Sequence, residues 1–321
     1  MIIPKPNTHR PTLKDFREAA YRIKGVAIRT PLVPLRRYRE KDQKILLKPE
    51  MIQPVGSYKI RGVYNWVAQL PEKERKKGVS TVSAGNMSQA LGYVANIFGV
   101  PSRAIIPDYA PETKIEASRR YGMDILVMTL PEIYEYIENP SDEYCFLNGL
   151  EEFGLLDGHG TIGLEIMEDA PDTDTIFVPV GIGFLSAGVA LAAKALKPSV
   201  RVIGVNAELS PGFYESLREN KVVPVEPANT LADAINDPVS EDMLKLVEET
   251  LDGVVLASED KIRDAIRFLA VENKLVAEGA GAISLAAALS TPFEERGNTV
   301  CVLSGGSIDP EKLSQILRSE K

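Results

Sequence analysis

Short apolar runs alternate with amphipathic stretches along most of the chain. "KILLKP", "VSTVSA", "SRAIIP", "DILVMT", "TIFVPV", "RVIGVN", "GVVLAS" and "TVCVLS" are rich in β-branched residues and bounded by turn formers, which predicts strands. Many are continuously apolar, the pattern of strands buried on both faces of a parallel sheet. Between them, "SQALGYVANIFG", "AGVALAAKALK" and "EDKIRDAIRFLAVEN" carry apolar residues at helical spacing. The alternation predicts a parallel α/β architecture covered by helices. The stretch "SDEYCFLNGLEEFGLLDGHGT" (141–161) is less regular. It reads as a crossing between two subdomains, with a boundary near residue 150.

Composition narrows the class without changing this picture. A chain of 321 residues, 44% hydrophobic and 26% charged, can build one large or two ordinary domains. A net charge of -8 argues against nucleic-acid or anionic-membrane partners. "MIIPKPNTHRPTLKDF" has no apolar core of a signal peptide. The long apolar run "TIFVPVGIGFLSAGVALAA" is broken by Gly and Pro, which favours strand–loop–helix over a membrane span. Cys145 and Cys301 lie in strand-like runs and read as buried thiols in a reducing cytosol. His9 and His159 are the only histidines, which argues against a histidine-rich metal site or a histidine-based triad. The expectation is a cytoplasmic protein with a small-molecule substrate and no metal, nucleic-acid or membrane partner.

Ligands of open parallel sheets bind beyond the carboxyl ends of strands, so the turns that follow strands matter most. In "PVGSYKIRG" (54–62), Ser57 is a plausible N-cap, and Ile60, Val63, Val67 and Leu70 recur at helical spacing. Lys59 would be the second residue of that helix. The helix dipole and Arg61 both disfavour its ammonium, so its pKa should fall, and a neutral amine can form a Schiff base. An ordinary solvated lysine fits the same spacing. In "TVSAGNMSQALG" (81–92), a small-residue loop after Ser83 leads to a helix beginning near Met87 or Ser88. Its N–H groups suit a carboxylate or phosphate, and Asn86 could bond a phenolic or carboxylate oxygen or simply cap the turn. In "VPVGIGFLSAGVALA" (178–192), Gly181 and Gly183 precede a helix whose N-terminus suits a phosphate. A dinucleotide fingerprint is the rival reading there; Ser186 stands where its third glycine would be. In "VCVLSGGSIDPEKL" (300–313), Ser304 ends a buried strand and is placed to bond a ligand or its own turn.

Together these turns resemble the fold-type II pyridoxal-phosphate enzymes, close to threonine/serine dehydratases and serine racemases. The resemblance is carried, in order along nearly the whole chain, by "RTPLVPL" (29–35), "GSYKIRG", "SAGNMSQALG", "GHGTIGLEI" (158–166), "TLADAI" (230–235), "VAEGAGAISLAA" (276–287) and "LSGGSID" (303–309). It implies two open twisted, mainly parallel-sheet domains like the tryptophan synthase beta subunit. Residues 1–66 and 151–321 would form the larger, cofactor-binding domain and 67–150 the smaller, substrate-side one. A homodimer is also implied.

The resemblance further implies roles for individual residues. Lys59 would carry pyridoxal 5'-phosphate as a Schiff base, with Tyr58 in place of the usual phenylalanine against the ring. Asn86 would bond the cofactor's 3-hydroxyl. Gly181, Ile182, Gly183, Phe184 and Leu185 would hold the phosphate through backbone N–H groups, and Ser304 would face the pyridine nitrogen. Ser83, Ala84, Asn86 and Met87 would form the substrate side. The implied reaction is β-elimination and deamination of a threonine- or serine-type amino acid to a 2-oxo acid and ammonia, with Lys59 removing the Cα proton. Ala84 occupies the position where the related racemases place a serine, which favours elimination over racemisation and leaves Lys59 as the lone proton-transferring side chain at Cα. Racemisation, a non-standard β-leaving group, a nicotinamide oxidoreductase and a cofactor-binding relative without chemistry are the alternatives.

Several positions depart from the family pattern. "GIGF" replaces four glycines, Met87 replaces a histidine, and Ser307 ends "SGGS" where asparagine is usual. Asn206 and Gly212 stand where the racemase branch has metal-binding acids, so no metal site is expected. The sequence ends at Lys321, soon after the last sheet motif, so no C-terminal regulatory domain is expected.

Overall fold

Strands sort into two sheets by their position along the chain. The structure is a computed structural model that describes residues 9–36, 44–141, 143–226 and 228–318. In chain order the strands are β1 (Val33–Pro34), β2 (Ile45–Pro49), β3 (Val79–Val82), β4 (Ser102–Pro107), β5 (Asp124–Met128), β6 (Cys145–Leu147), β7 (Thr175–Pro179), β8 (Arg201–Ala207), β9 (Gly253–Ala257) and β10 (Thr299–Leu303). One sheet has the order β1-β2-β10-β7-β8-β9, and the other β5-β4-β3-β6. Every pairing is parallel except β1 with β2. The mixed α/β architecture with parallel sheets is the one the hydrophobic pattern predicts.

Burial follows strand position. β7 and β10, inside the larger sheet, are buried along their whole length, as their unbroken apolar sequences require. β5 and β9 are edge strands and are half-exposed, so the expectation of burial on both faces fails there. Cys145 and Cys301 are buried free thiols, and burial pushes the Cys301 thiol up to about 12, which leaves it inert. No helix among the described residues is long and apolar enough to cross a membrane.

Within the irregular stretch 141–161, the described residues form β6, a turn, and the start of the helix Leu155–Asp169. Its glycines disguised it. A Cβ at Gly158 would lie 2.4 Å from the carbonyl oxygen of Arg61, and one at Gly163 would lie 2.3 Å from that of Val189. Glycine is kept here, at some cost in helix propensity, so that this helix can pack against Lys59–Gln69 on one side and Phe184–Leu196 on the other. That packing fixes the two helix starts on which the site depends.

Candidate functional site

Three loops leave the carboxyl ends of parallel strands. Ser83–Gly85 follows β3, Gly181–Gly183 follows β7, and Ser304–Gly306 follows β10. The segment before Lys59 is tied to the last of them by backbone hydrogen bonds. Tyr58 N–H donates to the Ser304 carbonyl at 3.0 Å, and Gly306 N–H donates to the Gly56 carbonyl at 2.9 Å. Ser57 pairs with Gly305 in an isolated bridge. Ser57 is therefore not the N-cap. Tyr58 holds that position, Lys59 is the first helical residue, and the buried Ser57 hydroxyl has no partner among the described residues.

Arg61 does not face Lys59. Its guanidinium turns inward and bonds Glu50 at 2.7 and 2.9 Å and Glu165 at 2.7 and 2.9 Å. The oxygens that act on the Lys59 amine belong to Tyr58, Asp237 and Glu278. Burial alone would pull the Lys59 pKa down, but these three outweigh it and the ammonium is held above its ordinary range. The expectation of a lowered pKa is thus reversed, because the cation assumed beside Lys59 is neutralised elsewhere. The lysine Nζ lies 5.1 Å from the Tyr58 ring centre, so the phenol that replaces phenylalanine adds a second ionisable group at the amine.

Two helix starts present unpaired donors. The N–H groups from Gly181 to Leu185 have no acceptor in the described chain, and they lie at and just before the start of the helix Phe184–Leu196. Such a cluster, at the positive end of a helix, fits an anionic group. The side chains that replaced glycine do not obstruct it. Phe184 packs edge-on against Phe153, with ring centres 5.2 Å apart, and Ile182 packs partly buried against the same core. Leu185 is buried between the larger sheet and its helices. The helix Asn86–Phe98 begins one residue earlier than the sequence predicts, and Asn86, Met87 and Ser88 have no acceptor for their N–H groups among the described residues. Gly85 N–H is capped by the Ser83 hydroxyl at 3.1 Å. Met87 is buried in the core, and Ala84 packs partly buried against it.

Asn86 is held at both ends. Its amide donates to Glu278 Oε1 at 2.9 Å, and its oxygen accepts from the Ser307 hydroxyl at 2.6 Å. The Ser304 hydroxyl donates to the Ala280 carbonyl at 3.2 Å. Asn206, at the metal-site position of the racemase branch, is occupied structurally: it donates to the Val180 carbonyl and accepts from Tyr214 N–H.

The residues that sequence reasoning missed are Asp237, Glu278 and His159. Glu278 lies inside "VAEGAGAISLAA", and His159 inside "GHGTIGLEI", but neither motif assigns them a role. His159 is buried against the Tyr58 ring, 4.8 Å between ring centres, in space left by Gly62. Its Nδ1 has no partner among the described residues, and burial followed by the Lys59 and Arg61 charges holds its pKa well below the ordinary value. It is neutral when folded and protonated when unfolded below about pH 6.5, so the fold should lose about 1.4 kcal/mol per pH unit below that point. His159→Gln should remove this component from the pH dependence of urea unfolding between about pH 6.5 and 5; an unchanged slope would contradict it.

A buried lysine at one helix start and orphaned anion-binding donors at another fit pyridoxal phosphate, whose aldehyde and phosphate need those two features. The comparisons agree. The pattern of the family "Pyridoxal-phosphate dependent enzyme" matches residues 23–305. The L-threonine ammonia-lyase of Thermotoga maritima is 40% identical over 312 residues, covering 95% of this chain and 78% of that protein. The catabolic L-threonine dehydratase TdcB of Escherichia coli is 35% identical over 315 residues, covering 95% of each. The structure of maize serine racemase superposes with a TM-score of 0.87 at 30% identity, covering 96% of this chain and 97% of that one. This chain belongs to the family of pyridoxal-phosphate dependent enzymes.

Proposed function

We propose that the protein is an ammonia-lyase that removes water and then ammonia from a threonine- or serine-type amino acid, leaving a 2-oxo acid. The observation that carries this reading is the placement of the Lys59 amine with two groups of unpaired helix-start donors, one after β7 and one after β3. The names of the Thermotoga maritima and Escherichia coli relatives support the same activity. Pyridoxal phosphate, when bound, supplies the electron sink that lets the Cα proton be removed.

Each residue then has a physical task. The N–H groups of Gly181 to Leu185 take the phosphate. Those of Asn86 to Ser88 take the substrate carboxylate, with Ser83 ordering their loop. Lys59, once its amine is free and neutral, takes the Cα proton. Asn86, fixed by Glu278 and Ser307, would offer its amide to the cofactor's 3-hydroxyl, and Ser304 would face the ring nitrogen. Ala84 cannot transfer a proton from the face opposite Lys59, which favours elimination over racemisation. Family membership sets aside the nicotinamide reading. A division into 1–66 with 151–321 and 67–150, a homodimer and a cytoplasmic location belong to the same proposal. The division is supported by the smaller sheet, whose strands lie within 79–147.

The test is incubation of the cofactor-loaded enzyme with L-threonine, L-serine and larger β-hydroxy amino acids. Release of equal 2-oxo acid and ammonia, with no D-amino acid on chiral analysis, is the expected result. D-amino acid without oxo acid would replace the reading with racemisation. Neither product would end it.

A further inference from the structure

Asp237 follows the "TLADAI" segment by two residues and has no hydrogen-bond partner among the described residues. It is deeply set yet keeps partial access to solvent, as a group lining a site does. It adjoins the loop after β7 and acts on the Lys59 amine through its charge. A Cβ at Gly181 would come within 2.9 Å of Asp237 Oδ2, and the Asp237 carboxylate interacts with the Lys59 ammonium. An acid at this place is at odds with the loop beside it. The unpaired N–H groups starting at Gly181 are built for an anion, and a second negative charge against that anion is unfavourable unless one of the two takes up a proton.

Lys59 compensates Asp237, with Tyr58 and Glu278 the other ionisable groups acting on the lysine. Burial already pushes the Asp237 carboxyl up, and Lys59 alone pulls it back. Once the amine is covalently engaged that counter-charge is diminished and the carboxyl becomes an O–H donor, as acids in water-poor sites do.

We propose that Asp237 is the acid that protonates the departing β-substituent, acting as a pair with Lys59; this rests on the lyase function proposed above. The balance closes within the pair. The Lys59 amine takes the Cα proton and becomes an ammonium. The Cα–H electrons form the Cα=Cβ bond, and the Cβ–O pair leaves with oxygen. Asp237 gives its proton to that oxygen, releasing water. The ammonium then returns a proton to the carboxylate, and both groups are reset.

The test uses the cofactor-loaded wild type, Asp237→Asn and Asp237→Ala. Both variants should lower kcat/KM for threonine or serine by about 10²–10⁴-fold. With 3-chloroalanine, whose chloride leaves without a proton, the loss should be less than about tenfold by the same argument. Equal losses on both substrates, or none on either, would overturn the proposal. A second readout needs no turnover: loading wild type with pyridoxal phosphate at neutral pH should take up about one proton more than loading Asp237→Asn, measured with an indicator dye in weak buffer. Without that difference the carboxyl is not protonated in the loaded site and the proposal falls, whatever the activity. A wild type that takes up the proton but eliminates from no substrate would instead overturn the lyase reading and the proton's destination with it.

Discussion

Replacement of Lys59 by alanine should abolish turnover, by at least about 10⁴-fold, because one side chain serves as both covalent anchor and base. The variant should not develop a violet absorption band when pyridoxal phosphate is added, and borohydride reduction should leave no cofactor attached to the protein. The cofactor should still bind weakly, since the donors from Gly181 to Leu185 are backbone groups that the substitution leaves in place. The empty wild type carries a further signature. Its Lys59 ammonium is held above the ordinary range by Tyr58, Asp237 and Glu278. Only the neutral amine attacks an aldehyde, so the rate of covalent loading should rise with pH across the neutral range, by up to tenfold per unit. Loading that is independent of pH, or Lys59→Ala retaining about 1% of activity, would contradict this assignment.

Lys59 was legible because its motif sits between an apolar strand and a helical pattern, and because three further loops follow strands in the same way. What those loops bring to the amine was less legible. Arg61 is two residues from Lys59, and sequence proximity suggested electrostatic contact. Two residues on a helix are about 200° apart, so their side chains point in opposite directions. The partners that bury Arg61 come from before the helix and from about a hundred positions after it. Asp237 lies two residues beyond "TLADAI", in an irregular segment with no period to mark it, and only the tertiary approach to Gly181 gives it a place. The helix Leu155–Asp169 was hidden for a different reason. Its glycines serve close packing between helices, and in a single sequence they look like loop residues. Local periodicity thus placed the strands and the lysine, whereas the acids around that lysine depend on contacts no local pattern records.

Arg61→Met should destabilise the fold by about 3–5 kcal/mol at neutral pH, because it removes one partner from a buried ionic group. Arg61, Glu50, Lys48 and Glu165 carry two formal charges of each sign and are essentially inaccessible to solvent. Lys48 donates to the Thr30 carbonyl at 2.7 Å and to Glu165 at 2.5 Å. Glu50 also accepts from the Thr30 hydroxyl at 2.7 Å and from Gln53 at 3.0 Å. Burial would raise the Glu50 pKa, but Arg61, followed by Lys48 and Thr30, holds it below the ordinary value. A carboxyl depressed in the folded state contributes stability that is present above its unfolded pKa and is lost as pH falls through the folded one. The variant reverses the sign. Glu50 without Arg61 is a buried acid with Lys48 as its remaining cation, its pKa rises, and protonation relieves it. The stability gap between wild type and Arg61→Met, measured by urea unfolding, should therefore narrow as pH falls from 7 toward 4.5. A gap that is constant with pH would show that lost packing, not charge, sets the cost. Because the Arg61 guanidinium also donates to the Ile28 carbonyl and the Thr161 hydroxyl, it pins the helix Lys59–Gln69 to both neighbouring segments. The same substitution should therefore weaken cofactor retention, since Lys59 opens that helix. Two cations in one helical turn thus have separate tasks: one fixes the helix from inside, and the other, held by Tyr58, Asp237 and Glu278, is kept for the cofactor.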